Sequence, residues 1–261
     1  MAKIEVNGAQ IYYERHGSGH PLILIAGYTC DHTAWNLIVD SLSQHFEVIT
    51  LDNRGIGQTK DDALVLSAEL LARDIHLFSK KLGLEKPHIL GKSMGGTIAQ
   101  KLATTYPEDV GKLILLVTSA KWRKAVLLGF HSQIFLRKMG VDEKKIFETT
   151  YPWVFGEKFL EEKKNVDLLR KLTFENPHPQ SLQDQKRQVR ILDRFDGRGD
   201  LEKIEAPTFI LYGKEDIISL PHESEYLAKK IANAKIKGLN SGHGMVLEVP
   251  EDLTQEIIKF L

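Results

Sequence analysis

Pro87-His88-Ile89-Leu90-Gly91-Lys92-Ser93-Met94-Gly95-Gly96-Thr97 is the stretch whose reading decides the fold. Residues 87–90 are a short apolar run of the kind a buried strand uses, and 97–105 carry helical apolar spacing. Between them stands Gly-x-Ser-x-Gly, with Ser93 at its centre. A serine in a sharp strand-to-helix turn projects its hydroxyl at the C-terminal edge of a sheet, where ligands of α/β proteins bind. The glycines at 91 and 95 suit that turn because a larger side chain there would collide with neighbouring backbone. The helix that follows aims its N-terminus at the hydroxyl and favours negative charge there.

Outward from this turn, strand and helix patterns alternate. Residues 3–6 and 10–14 are β-prone and flank Asn7-Gly8, a hairpin signal. Strands are predicted at 21–26, 46–51, 87–90, 113–117, 208–212 and 235–237. Helices are predicted at 35–42, 66–82, 97–105, 223–231 and 253–261, the third ended by Tyr106-Pro107. This order predicts an α/β fold: a mostly parallel sheet covered by helices on both faces, with an antiparallel N-terminal edge. Residues 121–200 have helical spacing and no clear apolar strand. They are expected to form a helical lid inserted over one end of the sheet. Residues 1–120 and 201–261 would then be the core.

A serine becomes a nucleophile only with a base, and the base needs an orienting carboxylate. His243 stands in Asn240-Ser241-Gly242-His243-Gly244, after the strand at 235–237. Asp216 follows the strand at 208–212, with Glu215 beside it as the rival carboxylate. With these residues in chain order Ser, Asp, His, the sequence resembles the α/β-hydrolase superfamily over nearly its whole length. Leu51-Asp52-Asn53-Arg54-Gly55-Ile56-Gly57-Gln58-Thr59, Tyr106-Pro107-Glu108-Asp109-Val110 and Ala206-Pro207-Thr208 add to the likeness.

The resemblance implies a catalytic triad of Ser93, Asp216 and His243. The other place where relatives carry the acid follows the strand at 113–117. Here that place is Thr118-Ser119-Ala120, which has no carboxylate and so favours Asp216. The resemblance puts the oxyanion-hole N–H groups on Tyr28 and Met94. Many relatives have His-Gly where this chain has Ala26-Gly27, and His, Asn or Trp where it has Lys92. Lys92 is expected to lead away from the site and pair with a carboxylate. Asp52 and Arg54 are expected to be structural. The implied activity is cleavage of a carboxylic ester through an acyl-enzyme, without cofactor or metal. Alternatives on the same scaffold are a pimeloyl-[acyl-carrier protein] methyl ester esterase, an enol-lactonase and a lyase-type enzyme.

Composition narrows the classes further. The 261 residues are 42% apolar and 27% charged, enough for a packed core. Thirty-five Lys and Arg balance 35 Asp and Glu, which argues against a globally basic nucleic-acid binder. One cysteine, Cys30, excludes an internal disulfide and a multi-thiolate metal site, and reads as a small core filler. There is no apolar run of membrane-spanning length and no apolar leader, so a cytoplasmic protein is expected. Aromatics crowd the insertion: Trp122, Phe130, Phe135, Phe147, Tyr151, Trp153, Phe155, Phe159 and Phe174. They are expected to pack the lid, with a few lining an acyl pocket. The insertion also holds 17 Lys and Arg against 12 Asp and Glu. Its Arg123, Lys124, Arg137, Lys138, Lys186, Arg187 and Arg190 are candidates for receiving an acyl carrier protein. The alternative is a solvated helical face serving a small-molecule ester.

Overall fold

In the computed structural model, which describes residues 2–261, Asn7 and Gly8 both take positive φ, 51° and 74°. That is what a tight two-residue hairpin turn needs. It joins β1 (Ala2–Val6) to β2 (Ala9–His16) in antiparallel register, Val6 opposite Ala9. Next come β3 (Pro21–Ile25), α1 (Asn36–Ser43) and β4 (Glu47–Leu51). A two-residue strand, β5 (Lys60–Asp61), pairs with β2 and is too short to show any periodicity. Helix α2 (Ala68–Lys81) starts where the Ser67 hydroxyl accepts the Leu70 N–H at 3.2 Å, and has Lys80 and Lys81 in its last turn. Then follow β6 (His88–Lys92), α3 (Met94–Thr105) and β7 (Leu113–Leu116).

Six α-helices separate β7 from the next strand. They are α4 (Lys124–Lys138), α5 (Glu143–Glu148), α6 (Tyr151–Val154), α7 (Glu157–Glu161), α8 (Lys163–Phe174) and α9 (Leu182–Arg194). The ends of this insertion are pinned together: Lys121 bridges Asp196, and the Gly197 N–H donates to Ala120 O at 2.8 Å. The chain closes with β8 (Thr208–Gly213), α10 (Pro221–Lys230), β9 (Ala234–Leu239), α11 (Met245–Glu248) and α12 (Pro250–Phe260). Helices α10 and α12 begin earlier than their apolar spacing suggests, each on a proline. The missing N–H costs nothing in a first turn. Strand β9 is longer than 235–237 because it is an edge whose lysines face solvent.

The sheet order is β1-β2-β4-β3-β6-β7-β8-β9, parallel from β4 onward, with β1 and β2 as the antiparallel edge. Alternating residues feed two cores. Ile23, Ile25, Leu113 and Leu115 face Leu71, Phe78 and Ile98 of α2 and α3. Leu22, Leu24, Ile114 and Leu116 face Ile38, Leu42, Leu253 and Ile257 of α1 and α12. Burial on both faces is why the strands read as continuous apolar runs rather than alternating ones. Among the described residues no helix is long and apolar enough to cross a membrane.

Candidate active site

Ser93 sits between β6 and α3 at φ 54°, ψ −119°, a strained conformation for a residue with a side chain. Its surroundings enforce it. A Cβ on Gly91 would lie 2.3 Å from Gly95 O, and one on Gly95 would lie 1.9 Å from Ile25 O. A Cβ on Gly96 would lie 2.6 Å from the Thr118 side chain. These contacts let α3 begin at Met94, three residues before the apolar spacing starts. The Ser93 N–H donates to Leu116 O at 2.9 Å, and its carbonyl accepts the Thr118 hydroxyl at 2.8 Å.

The loops after β8 and β9 converge on this serine. His243 Nε2 lies 2.9 Å from Ser93 Oγ, and His243 Nδ1 lies 2.8 Å from Asp216 Oδ2. The other Asp216 oxygen accepts the Ile218 and Ser219 N–H groups at 2.8 and 3.0 Å. Asp216 is therefore held at both oxygens, one for the imidazole and one for its own loop. Glu215 turns the other way and accepts the Glu157 N–H at 3.2 Å. Ser93, His243 and Asp216 are 7%, 6% and 2% exposed, so this chain of hydrogen bonds is nearly shielded from water.

The Tyr28 loop passes beside Ser93: a Cβ on Gly27 would lie 3.2 Å from Ser93 Cβ and 3.7 Å from Ser93 Oγ. The backbone N–H groups of Tyr28 and Met94 donate to no partner among the described residues. Met94 opens α3, so its N–H also carries the positive end of the helix dipole. The Tyr28 phenol leads away into the insertion, its ring 4.9 Å from that of Phe130 and its hydroxyl buried without a partner. Burial pushes its pKa up.

Asp52 and Arg54 serve the scaffold. Asp52 accepts the His32 and Gln58 N–H groups at 2.8 and 2.7 Å, and Arg54 donates to Asp74 at 2.6 and 2.9 Å. Lys92 differs from its expected ion pair. It is half-buried and meets no carboxylate within 4 Å among the described residues. Its place at the end of β6 leaves its charge near the Cys30 thiol instead. Burial pushes that thiol up, and Lys92 only partly offsets it.

Glu248 carried no sequence signal, yet it ties the His243 loop to the insertion. Its carboxylate accepts the Gly242 N–H at 3.0 Å and the Gly156 N–H at 2.9 Å, while the Gly244 N–H donates to Val154 O at 2.7 Å. Burial pushes Glu248 up against the opposing pull of these N–H donors, and Glu215 nearby adds to the rise. The aromatics of the insertion divide in two. Trp122 is buried with its Nε1–H on Thr97 Oγ1 at 3.0 Å, and Phe155 packs on Gly244. Phe135 and Trp153 are 59% and 46% exposed. The seven basic candidates divide too. Arg123, Arg137 and Arg187 are engaged within the chain by Glu223, Glu143 and Asp61. Lys124, Lys138, Lys186 and Arg190 are exposed and make no ion pair among the described residues.

Residues 20–250 match the family model described as the alpha/beta hydrolase fold. The chain belongs to this family. As an α/β hydrolase it is similar to the pimeloyl-[acyl-carrier protein] methyl ester esterase of Aliivibrio fischeri, 27% identical over 258 residues, with 96% of this chain and 97% of that one covered. It is also 27% identical to a monoacylglycerol lipase of Homo sapiens, over 95% of this chain and 77% of that one. The solved enol-lactonase of Burkholderia xenovorans LB400 superposes with a TM-score of 0.88 at 22% identity, covering 99% and 98% of the two chains. That last likeness is one of fold. The chain is thus an enzyme of the α/β-hydrolase family whose relatives carry the names of different activities, a putative carbamate hydrolase of Azorhizobium caulinodans, 26% identical, among them.

Proposed function

We propose that this α/β hydrolase cleaves carboxylic esters through an acyl-enzyme on Ser93. The observation that carries the reading is the continuous hydrogen-bond chain Ser93–His243–Asp216 beside the free N–H groups of Tyr28 and Met94. In the reaction, the Ser93 hydroxyl gives its proton to His243 Nε2 as Oγ attacks the ester carbonyl carbon. Asp216 holds the imidazole by its Nδ1–H and stabilises the imidazolium. The Tyr28 and Met94 N–H groups stabilise the oxyanion, and their being free of other partners leaves them available for it. Collapse expels the alcohol, which takes the proton from His243. A water then repeats the sequence and releases the acid. The chemistry uses side chains and backbone only. In this reading residues 121–200 are a lid, and its Val154 and Gly156 close against the His243 loop.

The substrate class is the finer part of the proposal. A small neutral ester is the first reading. A carrier-bound acyl ester is the second, favoured by the Aliivibrio fischeri relative and by the four of the seven basic candidates that make no ion pair among the described residues. A fluorophosphonate probe on the purified protein should label Ser93, and the label should vanish in Ser93→Ala. A p-nitrophenyl ester series should then give turnover, with one atom of solvent oxygen in the product acid. Absence of labelling would overturn the nucleophile. Labelling without solvent oxygen in the product would point to elimination or transfer. Charge reversal at Lys186 and Arg190 that slows a carrier-bound ester but spares a small one would select the second reading.

A further inference from the structure

The two residues that flank His243 are glycines, and neither takes positive φ. Their backbone does not demand glycine, but the space around them does. A Cβ on Gly242 would lie 2.8 Å from Gly156 N and 2.9 Å from Val154 O, and one on Gly244 would lie 2.3 Å from the Phe155 ring. Residues 154–156, where α6 gives way to α7, therefore lie directly on the loop of the proposed base. Glycine on both sides also leaves the His243 backbone with unusual freedom. Asp216 holds the ring at one nitrogen, and a ring held at one atom still swings with its backbone.

The backbone is held by the insertion and by Glu248. The Gly244 N–H donates to Val154 O at 2.7 Å, and the Gly242 N–H lies 3.1 and 3.0 Å from the two Glu248 oxygens. The same carboxylate accepts the Gly156 N–H at 2.9 Å. Glu248 ends α11 and makes no ion pair among the described residues, so its charge rests on backbone N–H groups that converge from the base loop and the insertion. An amide in its place would set its NH2 about 3 Å from the Gly242 N–H whichever way it turned, donor against donor.

We infer that Glu248 is a positioning residue for the base: with residues 154–156 it clamps the Gly242-His243-Gly244 backbone, so that the seat of the insertion sets where the imidazole stands. This rests on the proposed role of His243. The imidazole has to serve two places, taking the proton at Ser93 Oγ and delivering it to the leaving alcohol. A displaced ring therefore fails most where a proton must be delivered. A mere cross-link between insertion and core would contribute to stability and leave the choice among substrates alone. Glu215 is the built-in control: its side chain accepts the Glu157 N–H of the same stretch of insertion and bonds to none of residues 242–244.

The test compares kcat/KM for an alkyl ester and a p-nitrophenyl ester of one acid. Both need the Ser93 proton removed, but p-nitrophenolate leaves as a stable anion and needs no proton delivered. Glu248→Gln should lower kcat/KM about 10- to 100-fold for the alkyl ester, and at least about fivefold less for the p-nitrophenyl ester. Gly242→Ala, whose methyl would push residues 154–156 away, should move the ratio in the same direction. Glu215→Ala should keep the ratio within about twofold of the original, even where its melting temperature falls as far as that of Glu248→Gln. The inference is overturned if Glu248→Gln affects both esters equally or neither, if a folded Gly242→Ala leaves the ratio unmoved, if Glu215→Ala moves it as much, or if neither Glu248→Gln nor Gly242→Ala folds. Failure of the original chain to hydrolyse the p-nitrophenyl ester would instead overturn the ester-hydrolase reading.

Discussion

The crest of the sheet and the helical insertion above it are built by different rules. At the crest, glycines 91, 95 and 96 stand where a Cβ would meet other atoms at 2.7 Å or less. The strands beneath them are buried on both faces. In the insertion, a Cβ on Gly140 would meet nothing within 4 Å, and Leu128, Phe135, Met139 and Trp153 face solvent. The crest is sterically over-determined, so it can hold Ser93 in a conformation that a looser site would let relax. The insertion is tied to it at particular polar points: Gln188 Oε1 accepts the Thr29 N–H at 3.2 Å, and Glu248 the Gly156 N–H at 2.9 Å. Its surface can thus differ between relatives without disturbing the turn that carries Ser93.

The comparison breaks most visibly at the hydrogen-bond chain. Ser93→Ala and His243→Ala should each lower turnover by about four to six orders of magnitude. Their melting temperatures should stay close to that of the original chain, because neither side chain fills the core. Melting and ester assays on the same preparations check this. Near-full activity in either variant would remove the chain from the chemistry.

Glycine substitutions sharpen the contrast in stability. Gly95→Ala forces a methyl into Ile25 O and should cost at least about 3 kcal/mol, with loss of activity. Gly140→Ala, at φ 77° in open space, should cost only the left-handed backbone penalty of about 1–2 kcal/mol and leave turnover intact. Urea unfolding read together with turnover decides it. Equal costs at the two sites would mean that the crest yields as easily as the insertion.

The smallest effect concerns pH. Burial alone would lower the His32 pKa, but the hydrogen bond and charge of Asp52 outweigh it, with Asp31 and Glu14 adding, and the net shift is upward from 6.5. A histidine raised in the folded state contributes stability that is full below its unfolded value and is lost as pH rises through the folded one. The original chain should therefore lose melting temperature as pH climbs from 6.5 through that raised value, a step that His32→Gln should lack. An identical step in both proteins would place the pH dependence elsewhere.

Local chemistry was enough to read the strand–Gly91-x-Ser93-x-Gly95–helix turn, the Asn7-Gly8 hairpin and the carboxylate and imidazole in loops after later strands. Periodicity, turn propensity and glycine spacing are properties of neighbouring residues, and they survive in a linear string. The family followed from the same local signals taken in chain order. What only the tertiary structure decided are contacts whose partners lie far apart. Asp216 and not Glu215 faces His243, because the turn after β8 points successive side chains in opposite directions. Three of the seven basic candidates are spent on carboxylates within the chain. Gln188 looks like any polar residue of an amphipathic helix, and its meaning comes from Thr29, 159 positions away. A buried amide is defined by the groups it must satisfy, and those groups meet only when the chain has folded.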